Sequence, residues 1–395
     1  MKQIIYIIVL VILLGCNNTP SNKSQQHQKT TRKWSVKMAD AVMQEYDSLV
    51  YYLNPQKVKW EYDYAFLGQA IDRLGDLDPK YSEYMQAYID YFVREDGSIY
   101  KYKLSDYNID RVNPGKNVIT LYKRTGNEKY KKVIDQLVLQ MKEHPKTKSD
   151  GYWHKKRYPY QMWLDGIYMA SPFLAQYAKE FNEPQWFDVV THQIKLIYSK
   201  TRDEKSGLLY HAWDESKQQK WSDPETGLSP HFWSRAMGWY VMAIVDVLDF
   251  LPDRHPDREE LIAILNNTCE ALLKVRDSES ALWYQVLDQG NREGNYLEGS
   301  GSAMFAYVFA KGANKGYLNQ AYLNLANETF DGIINHLITE GTDGKIEMKD
   351  ICGGCGLGGN PYRDGSFEYY ITETKVTNDT KGVAPFILAA IELDR

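Results

Sequence analysis

The chain has 395 residues, of which 43% are hydrophobic and 25% are charged, and its formal net charge at pH 7 is −5. Its 47 Lys and Arg residues are fewer than its 52 Asp and Glu residues, and no basic block interleaves with aromatic residues. The sequence therefore lacks the usual signature of a nucleic-acid-binding protein.

The first fifteen residues have the pattern of a signal peptide. Lys2 precedes an apolar stretch, Ile4 to Leu14, that is too short to span a bilayer comfortably. The stretch leads into Leu13-Leu14-Gly15-Cys16, which resembles a bacterial lipobox, where the cysteine carries the lipid and becomes the mature N-terminus. We expect residues 1–15 to be a lipoprotein signal peptide and Cys16 to be lipidated. A plain membrane anchor is the alternative.

A polar segment follows the predicted lipidation site. Residues 16–33 are rich in Ser, Thr, Asn, Gln and Lys, which predicts a solvated tether and places the start of the folded domain at residue 34. Asn17 is not the Asp that favours retention in the inner membrane, and the tether lacks acidic residues. We therefore expect a protein held in the bacterial cell envelope by its lipid alone, in the outer membrane and facing the periplasm.

Beyond residue 34, the hydrophobic periodicity predicts helices of two kinds that alternate along the chain. A helix that is apolar on every side must be enclosed, whereas a helix with one apolar stripe lies outside it. The amphipathic, charged segments are 36–53, 79–93, 128–142, 185–199, 257–275 and 318–338. The segments that are apolar nearly all round are 60–74, 111–124, 160–180, 233–250, 299–312 and 382–393.

Six enclosed and six outer helices that close on themselves predict an all-α fold, the (α/α)6 barrel, with residues 34–395 as one domain. A closed ring of hairpins buries one continuous core at this length. An open α-solenoid is the alternative. It is disfavoured because its inner helices line a solvated concave face, and these segments are too uniformly apolar for that position.

Three of the predicted inner helices share a start signal, a capping residue followed by proline. These pairs are Asn113-Pro114, Ser171-Pro172 and Ser229-Pro230. Because the inner helices of such a barrel run parallel, the three predicted starts lie at one end. Asp110, Asp165 and His211 precede them in sequence, so we expect these polar groups to meet on one rim. Helix N-termini favour an anionic ligand there.

The segment from His154 to Asp165 sets one carboxyl group among aromatic rings. Flat rings stack on the faces of sugars, and a carboxyl that loses hydration keeps its proton more readily and can act as an acid near neutral pH. A hydrogen-bonded Asp in an aromatic, buried segment is the alternative. The aromatic neighbours in sequence are Trp153, Tyr158, Tyr160, Trp163 and Tyr168.

Cys352 and Cys355 have the spacing of a zinc half-site. No second pair of Cys or His at metal-ligand spacing accompanies them, so we expect no metal. In an oxidising compartment, a local disulfide and two free thiols are the remaining states of this pair.

Five stretches, spread over nearly the whole mature chain, form a specific combination. They are residues 110–115, 153–166, 232–239, 356–370 and 378–382. In this combination the chain resembles the unsaturated glycuronyl hydrolases of glycoside hydrolase families 88 and 105, most closely the unsaturated rhamnogalacturonyl hydrolases of family 105. Met237 departs from the pattern, since Asn is common there, and the region around Tyr62 aligns only loosely.

The resemblance implies a substrate made by polysaccharide lyases, an oligosaccharide with a 4,5-unsaturated uronic acid at its non-reducing end. Protonation of C4 in this enol ether gives an oxocarbenium ion at C5, water adds there, and the hemiketal opens and releases the aglycone. One acid that later serves as base suffices, so neither a metal nor an organic cofactor is expected. The sequence does not decide whether the substrate derives from pectic rhamnogalacturonan, from ulvan or from a glycosaminoglycan. It does not decide the oligomeric state either.

Two carboxylates are implied to be catalytic. Asp165 is the expected proton donor. Asp110 is the second carboxylate, which either holds a ring hydroxyl or shares a proton with Asp165. A hydrogen-bond acceptor at a helix start is the structural alternative for Asp110.

The resemblance also implies a set of substrate-binding residues. Arg235 is expected to bind the uronate carboxylate, with an interhelical ion pair as its alternative. Arg363 either fixes its own loop or reaches an anionic sugar beyond the cleaved bond. His154 and His211 are expected to contact substrate or position water, with a structural role in the loop as the alternative for His211. The aromatic members are Tyr62, Trp163 and Trp239, and the two tryptophans are expected to stack on the sugar.

Two other functional classes fit parts of the pattern. A non-catalytic carbohydrate-binding lipoprotein on the same barrel needs the aromatic residues and Arg235 but no acid. A polysaccharide lyase creates the double bond that hydration consumes, and it usually needs a Tyr, His or Lys base. The matched spacing of Asp110 and Asp165 favours the hydrolase over both.

Overall fold

The computed structural model describes residues 22–54, 56, 58–342 and 345–394, with side chains from Trp34 onward. The predicted signal peptide and the lipidation of Cys16 lie outside the described residues. Helix α1, Asn22–Glu45, begins within the segment predicted as a tether and ends earlier than the helix predicted over 36–53. In the part of the chain that the structure describes, no helix is long and apolar enough to cross a bilayer.

Twelve long helices of the described chain alternate between an inner and an outer position. The inner helices are α2 (Tyr62–Asp72), α4 (Gly115–Thr125), α6 (Leu164–Glu180), α8 (Ser234–Leu248), α10 (Gly299–Asn314) and α13 (Thr380–Leu393). The outer helices are α1, α3 (Pro79–Phe92), α5 (Glu128–Glu143), α7 (Gln185–Thr201), α9 (Arg258–Leu273) and α11 (Ala321–Leu337). A short helix, α12 (Phe367–Thr372), lies between α11 and α13.

The inner helices form a closed ring. Each packs against the next inner helix in sequence, and α13 packs against α2. Each outer helix packs on an inner one, as α3 does on α2 and α7 on α6. The predicted (α/α)6 barrel is therefore confirmed, and the open solenoid is wrong.

The inner ring is held by apolar side chains and close helix contacts. Every residue of α8 is buried. At Gly238 a Cβ atom would lie 2.6 Å from the Met304 sulfur, so glycine allows α8 and α10 to approach closely. Apolar burial on this scale is the main stabilising contribution to the fold.

The predicted helix starts are correct to one residue for α4 and wrong for α6 and α8. Helix α6 begins at Leu164, so Pro172 lies inside it, and α8 begins four residues after Pro230. A proline in a helix cannot donate to the carbonyl four residues earlier. Here that carbonyl belongs to Tyr168, and it accepts a hydrogen bond from Asn113 Nδ2 at 3.1 Å. The Asn113 side chain thus replaces the bond that Pro172 cannot make.

In the described residues, three short antiparallel strand pairs lie outside the helices. They are β1 (Gln161–Trp163) with β2 (Ala212–Asp214), β3 (Ile338–Glu340) with β4 (Ile346–Met348), and β5 (Ile351–Cys352) with β6 (Lys375–Val376). In the first pair Trp163 lies opposite Ala212. This register sets His211 beside the first turn of α6.

Candidate active site

The predicted polar residues lie at the N-terminal ends of the inner helices. Tyr62 is the first residue of α2, and Asp165 and Arg235 are the second residues of α6 and α8. Asp110 lies in a one-turn helix, Ile109–Arg111, just before α4. The positive ends of the helix dipoles therefore surround this rim, as expected for an anion-binding site.

Electrostatic contacts bring these groups into one site. Burial raises the pKa of the Tyr62 hydroxyl well above its ordinary value, and the charges of Asp63, Asp110 and Asp165 raise it further while Arg235 opposes them. Tyr62 is thus close enough to Asp110 and Asp165, the two predicted catalytic carboxylates, for their charges to raise its pKa. Its assignment to the site, which the sequence supports only loosely, agrees with this position.

A chain of hydrogen bonds ends at Asp165. Its Oδ2 lies 3.1 Å from His211 Nε2, and His211 Nδ1 lies 2.8 Å from the Tyr370 hydroxyl oxygen. Burial raises the pKa of Tyr370 well above its ordinary value, so the hydroxyl keeps its proton and can donate a hydrogen bond to Nδ1. In the His211 tautomer that accepts this bond, Nε2–H is directed at Asp165.

Asp110 has different partners. Its carboxylate contacts the Lys155 ammonium, and Oδ1 lies 3.5 Å from His154 Nε2. Burial works to raise the pKa of Asp110, but the charge of Lys155 and, after it, the interaction with His154 outweigh burial and hold that pKa below its ordinary value. Asp110 is therefore an ionised, ion-paired carboxylate. Of the two roles implied for it, this favours holding a hydroxyl over sharing a proton with Asp165.

His154 is a neutral, packed imidazole. It is buried, and burial lowers its pKa to about 4. Its ring stacks on the Trp163 indole at a centroid distance of 4.5 Å and an interplanar angle of 9°. His154 therefore orients the Asp110 carboxylate without adding a charge near neutral pH.

Arg235 is fully buried at the floor of the rim. One of its nitrogens donates to the backbone oxygen of Cys352 and to the Ser300 hydroxyl, and its guanidinium lies 4.7 Å from the Trp233 ring centroid. Among the described residues it has no carboxylate within ion-pair distance, so the interhelical ion pair is not found. Burial opposes its charge, but the negative charges of Cys352, as a thiolate, and of Glu298 outweigh this and raise the pKa of Arg235.

Two predicted stacking residues lie deeper than expected. Trp239 is fully buried: Tyr168 stacks on it at 4.8 Å, and Tyr62 and Phe66 meet it edge-on. Trp163 is 5% exposed, and Tyr158 stacks on it in addition to His154. In this structure both tryptophans support the rings around them, and neither presents an open face to a sugar. The interpretation of Trp239 and Trp163 as bare stacking walls is corrected accordingly.

Arg363 fixes its own loop. Its Nε donates to the Gly358 carbonyl at 2.8 Å, and one terminal nitrogen donates to the Leu357 carbonyl and the Tyr158 hydroxyl. Of the two roles left open by the sequence, the structure supports the structural one.

Three contributors escape the sequence reasoning. Lys155 is the ion-pair partner of Asp110, although its run of three cations suggests a solvated face. Tyr370 binds His211 from 159 residues away. Gln285 donates to the Tyr370 carbonyl at 3.0 Å and to Cys355 Sγ at 3.6 Å. Tyr370 does lie within a stretch that carries the family resemblance, which is the one signal that points to it.

A cationic cleft adjoins Asp110. It has a volume of about 620 Å³, and Lys155 joins it to the site. Two acidic side chains, Glu61 and Asp106, both pair with Arg111. The other cationic side chains of the lining are Lys103, Lys156 and Arg157. The cleft is thus suited to an anionic group.

The described residues contain no cluster of three or more His, Cys, Asp or Glu side chains that could hold a metal ion. Cys352 and Cys355 are free thiols in this structure, and their sulfurs lie 3.3 Å apart.

Comparisons with known proteins agree with this geometry. The model of Glycosyl Hydrolase Family 88 matches residues 34–395. A solved glycoside hydrolase of family 105 from C. acetobutylicum ATCC 824 is 49% identical, covers 91% of this chain and 99% of its own, and has a TM-score of 0.88.

Curated relatives point the same way. A 24.9 kDa protein of the picA locus of Rhizobium radiobacter is 35% identical over 233 residues, which are 57% of this chain and 97% of that protein. The unsaturated rhamnogalacturonyl hydrolase YesR of Bacillus subtilis strain 168 is 25% identical over 253 residues, 62% of this chain and 68% of that enzyme. The chain therefore belongs to glycosyl hydrolase family 88 and is a glycoside hydrolase, as its motifs predict.

Proposed function

We propose that this enzyme removes a 4,5-unsaturated uronic acid from the non-reducing end of lyase-generated oligosaccharides by hydrating the C4=C5 double bond. The observation that carries the proposal is the hydrogen-bond chain from Tyr370 through His211 to Asp165, beside the buried guanidinium of Arg235. A single acid served by a proton-relay partner fits a hydration that needs one proton donor.

In the proposed reaction Asp165 gives its proton to C4, and positive charge develops at C5 and the ring oxygen. The Asp165 carboxylate that results accepts the Nε2–H of His211, an interaction that strengthens as the proton leaves. Water then adds to C5 and returns a proton to Asp165. The hemiketal opens, and the aglycone departs from C1.

Arg235 supplies the charge that holds the substrate. Its guanidinium is buried, lies beside helix N-termini and lacks a carboxylate within ion-pair distance among the described residues. An unpaired buried cation is costly, and a uronate carboxylate can neutralise it with two parallel hydrogen bonds. Asp110, fixed by Lys155 and His154, is placed to accept a hydrogen bond from a ring hydroxyl.

For the sugar beyond the cleaved bond we propose rhamnose, from pectic rhamnogalacturonan or from ulvan. Support comes from the resemblance to rhamnogalacturonyl hydrolases and from the cationic cleft beside Asp110, which suits a sulfate or carboxylate on the aglycone. The sequence of residues 1–33 further supports a lipid anchor on Cys16 in the outer membrane.

The discriminating experiment incubates the protein with a lyase digest and follows the ultraviolet absorbance of the unsaturated uronate. Loss of absorbance is the expected result. A gain of absorbance on intact polymer would identify a lyase, and no change on any digest would indicate a binding protein. Separate digests of rhamnogalacturonan and ulvan test the proposed aglycone.

The anchor is tested in the native host with Cys16→Ser. We expect the variant protein to lose lipidation and to leave the membrane fraction. Its retention there after a carbonate wash would contradict the lipobox.

A further inference from the structure

Cys352 and Cys355 form a close thiol pair at the floor of the active site. Both are free, and their sulfurs lie 3.3 Å apart across Gly353 and Gly354. A disulfide needs the sulfurs at about 2.05 Å, so a small closure of this glycine-containing loop suffices. Cys352 is fully buried, whereas Cys355 is partly exposed and can meet an oxidant.

The pair is hydrogen-bonded to residues on two sides of the site, Arg235 and Gln285. The backbone oxygen of Cys352 accepts a hydrogen bond from Arg235, and its backbone N–H donates to Glu298 at 3.0 Å. Cys355 Sγ accepts from Gln285, whose other contact is the carbonyl of Tyr370. A change in this loop therefore alters the surroundings of Arg235, the proposed substrate-binding cation, and of Tyr370, which contacts His211.

The local electrostatics suit thiol chemistry. The hydrogen bond from Cys355 lowers the pKa of the Cys352 thiol to about 7, with help from Arg235 and against the effect of burial. Burial raises the pKa of Cys355, and the charge of Cys352 raises it further. Cys352 is thus the better thiolate near neutral pH.

We propose that Cys352 and Cys355 are a thiol–disulfide modification site, oxidised by a disulfide-class oxidant, and that the disulfide weakens substrate binding through Arg235. The Cys352 thiolate takes the proton of Cys355 across the contact between the two sulfurs, and the Cys355 thiolate attacks the oxidant R–S–S–R and expels R–S⁻, which takes a proton from water. Cys352 then loses its proton to water, attacks the Cys355 sulfur of the mixed disulfide and expels a second R–S⁻, which is protonated to R–SH. Two thiols are oxidised and one disulfide is reduced.

The first test reads the thiols and is independent of activity. The full-length protein is equilibrated with mixtures of reduced and oxidised dithiothreitol, alkylated, and mapped by peptide mass spectrometry. We expect Cys352 and Cys355 to lose alkylation together in one transition, with a peptide lighter by two hydrogen atoms. Both thiols still alkylated at the most oxidising mixture, in protein with unchanged circular dichroism, would overturn the proposal.

Two variants sharpen this test. Cys355→Ser should abolish the transition and leave Cys352 open to alkylation at every mixture. Cys269→Ser removes the fully buried thiol of α9 and is the matched control, so its transition should equal that of the unaltered chain. A transition that persists in Cys355→Ser would assign the disulfide to another pair and refute the site.

The second test measures kinetics on the reduced and oxidised forms, and this part rests on the proposed hydrolase function. Oxidation should raise KM for an unsaturated uronyl disaccharide several-fold with a smaller change in kcat, and reduction should restore it. Cys355→Ser should show no response to oxidant. A disulfide that forms while KM stays constant would refute the coupling to Arg235, whereas inactivity of both forms on every digest would refute the proposed hydrolase function alone.

Discussion

His211 Nε2 lies 3.1 Å from Oδ2 of Asp165, and the two residues come from different elements, the loop before β2 and the first turn of α6. The pairing of β1 with β2 fixes this distance, because Trp163 and Ala212 lie opposite each other and Leu164 N–H donates to the His211 carbonyl. The pair of three-residue strands β1 and β2, at the mouth of the barrel, therefore positions His211 beside Asp165, the proposed acid.

Asp165→Asn should leave the fold intact and remove nearly all turnover, because the amide keeps the shape of the carboxyl but cannot deliver a proton. Loss of one proton-transfer residue commonly costs about 10²–10⁴-fold in rate. Steady-state kcat on an unsaturated disaccharide, with circular dichroism as the folding control, measures it. Retention of more than about a tenth of kcat, against that range, would remove Asp165 from the role of acid.

The ring of helices could be predicted from the sequence, whereas many of the hydrogen bonds and ion pairs of the site could not. The inner helices are mostly apolar, so their sequence pattern identifies them within a few residues of their observed bounds, although α4 is amphipathic and ends with exposed Lys123 and Arg124. Ser171-Pro172 misleads because the sequence cannot show that Asn113 satisfies the carbonyl of Tyr168. That distant side chain offsets the hydrogen bond that Pro172 removes from α6.

The partners of the catalytic residues are hidden for a similar reason. Tyr370 reaches His211 only after the barrel has closed, and no local spacing marks the pair. Lys155 follows His154 directly, but a cation in a charged run gives no sign that it lies against Asp110. The motifs point to Asp165 and Asp110 as candidates, but the sequence could not assign the neighbours that set the ionisation of Asp110.

Tyr370→Phe should slow the reaction without weakening substrate binding. In the proposed tautomer of His211, the hydroxyl donates to Nδ1 and Nε2–H is directed at Asp165. Loss of a hydrogen bond of this kind should lower kcat by about ten- to a hundredfold, with KM little changed. Tyr369→Phe is the matched control, since the Tyr369 hydroxyl accepts from Gly356 N–H and does not contact His211 in the structure. Equal kinetics in the two variants would contradict the proposed chain.

Arg235→Lys should recover only part of the function lost in Arg235→Ala. The alanine variant should raise KM by about ten- to a hundredfold, because a charge-assisted carboxylate contact is lost. Lysine restores a charge but not the planar fork that pairs with both carboxylate oxygens. KM and melting temperature are measured on the same proteins. A large fall in melting temperature with unaltered KM would reduce Arg235 to support for the Cys352 loop.

The cationic cleft should discriminate between aglycones. Lys103→Ala and Lys156→Ala should each raise KM for a disaccharide whose second sugar carries a sulfate or carboxylate, and the effect should shrink as salt screens the charges. KM for the matching neutral disaccharide should stay the same. Lys315→Ala, at the opposite end of α10, controls for the loss of one positive charge. Equal effects on both substrates would show that the cleft does not bind the anion.

A buried lysine in the inner ring makes a prediction about stability and pH. Lys116 lies in α4, is fully enclosed, and its ammonium sits 4.1 Å from the centroid of the Tyr168 ring. Among the described residues it has no hydrogen-bond partner. Burial lowers its pKa from 10.5 to about 7, although Asp246 works in the opposite direction. Between these two values the unfolded chain holds a proton that the folded chain has released.

Where the unfolded state binds more protons, stability rises with pH. The free energy of unfolding should therefore increase, relative to Lys116→Met, as pH rises from about 7 towards 10.5, by at most about 1.4 kcal/mol per pH unit. Below pH 7 the difference between the two proteins should stay constant, because Lys116 is then charged in both states. Urea unfolding of both proteins across this range measures the difference, in which the titrations common to both cancel. Parallel curves above pH 7 would mean that Lys116 keeps its proton in the folded enzyme, held by Asp246.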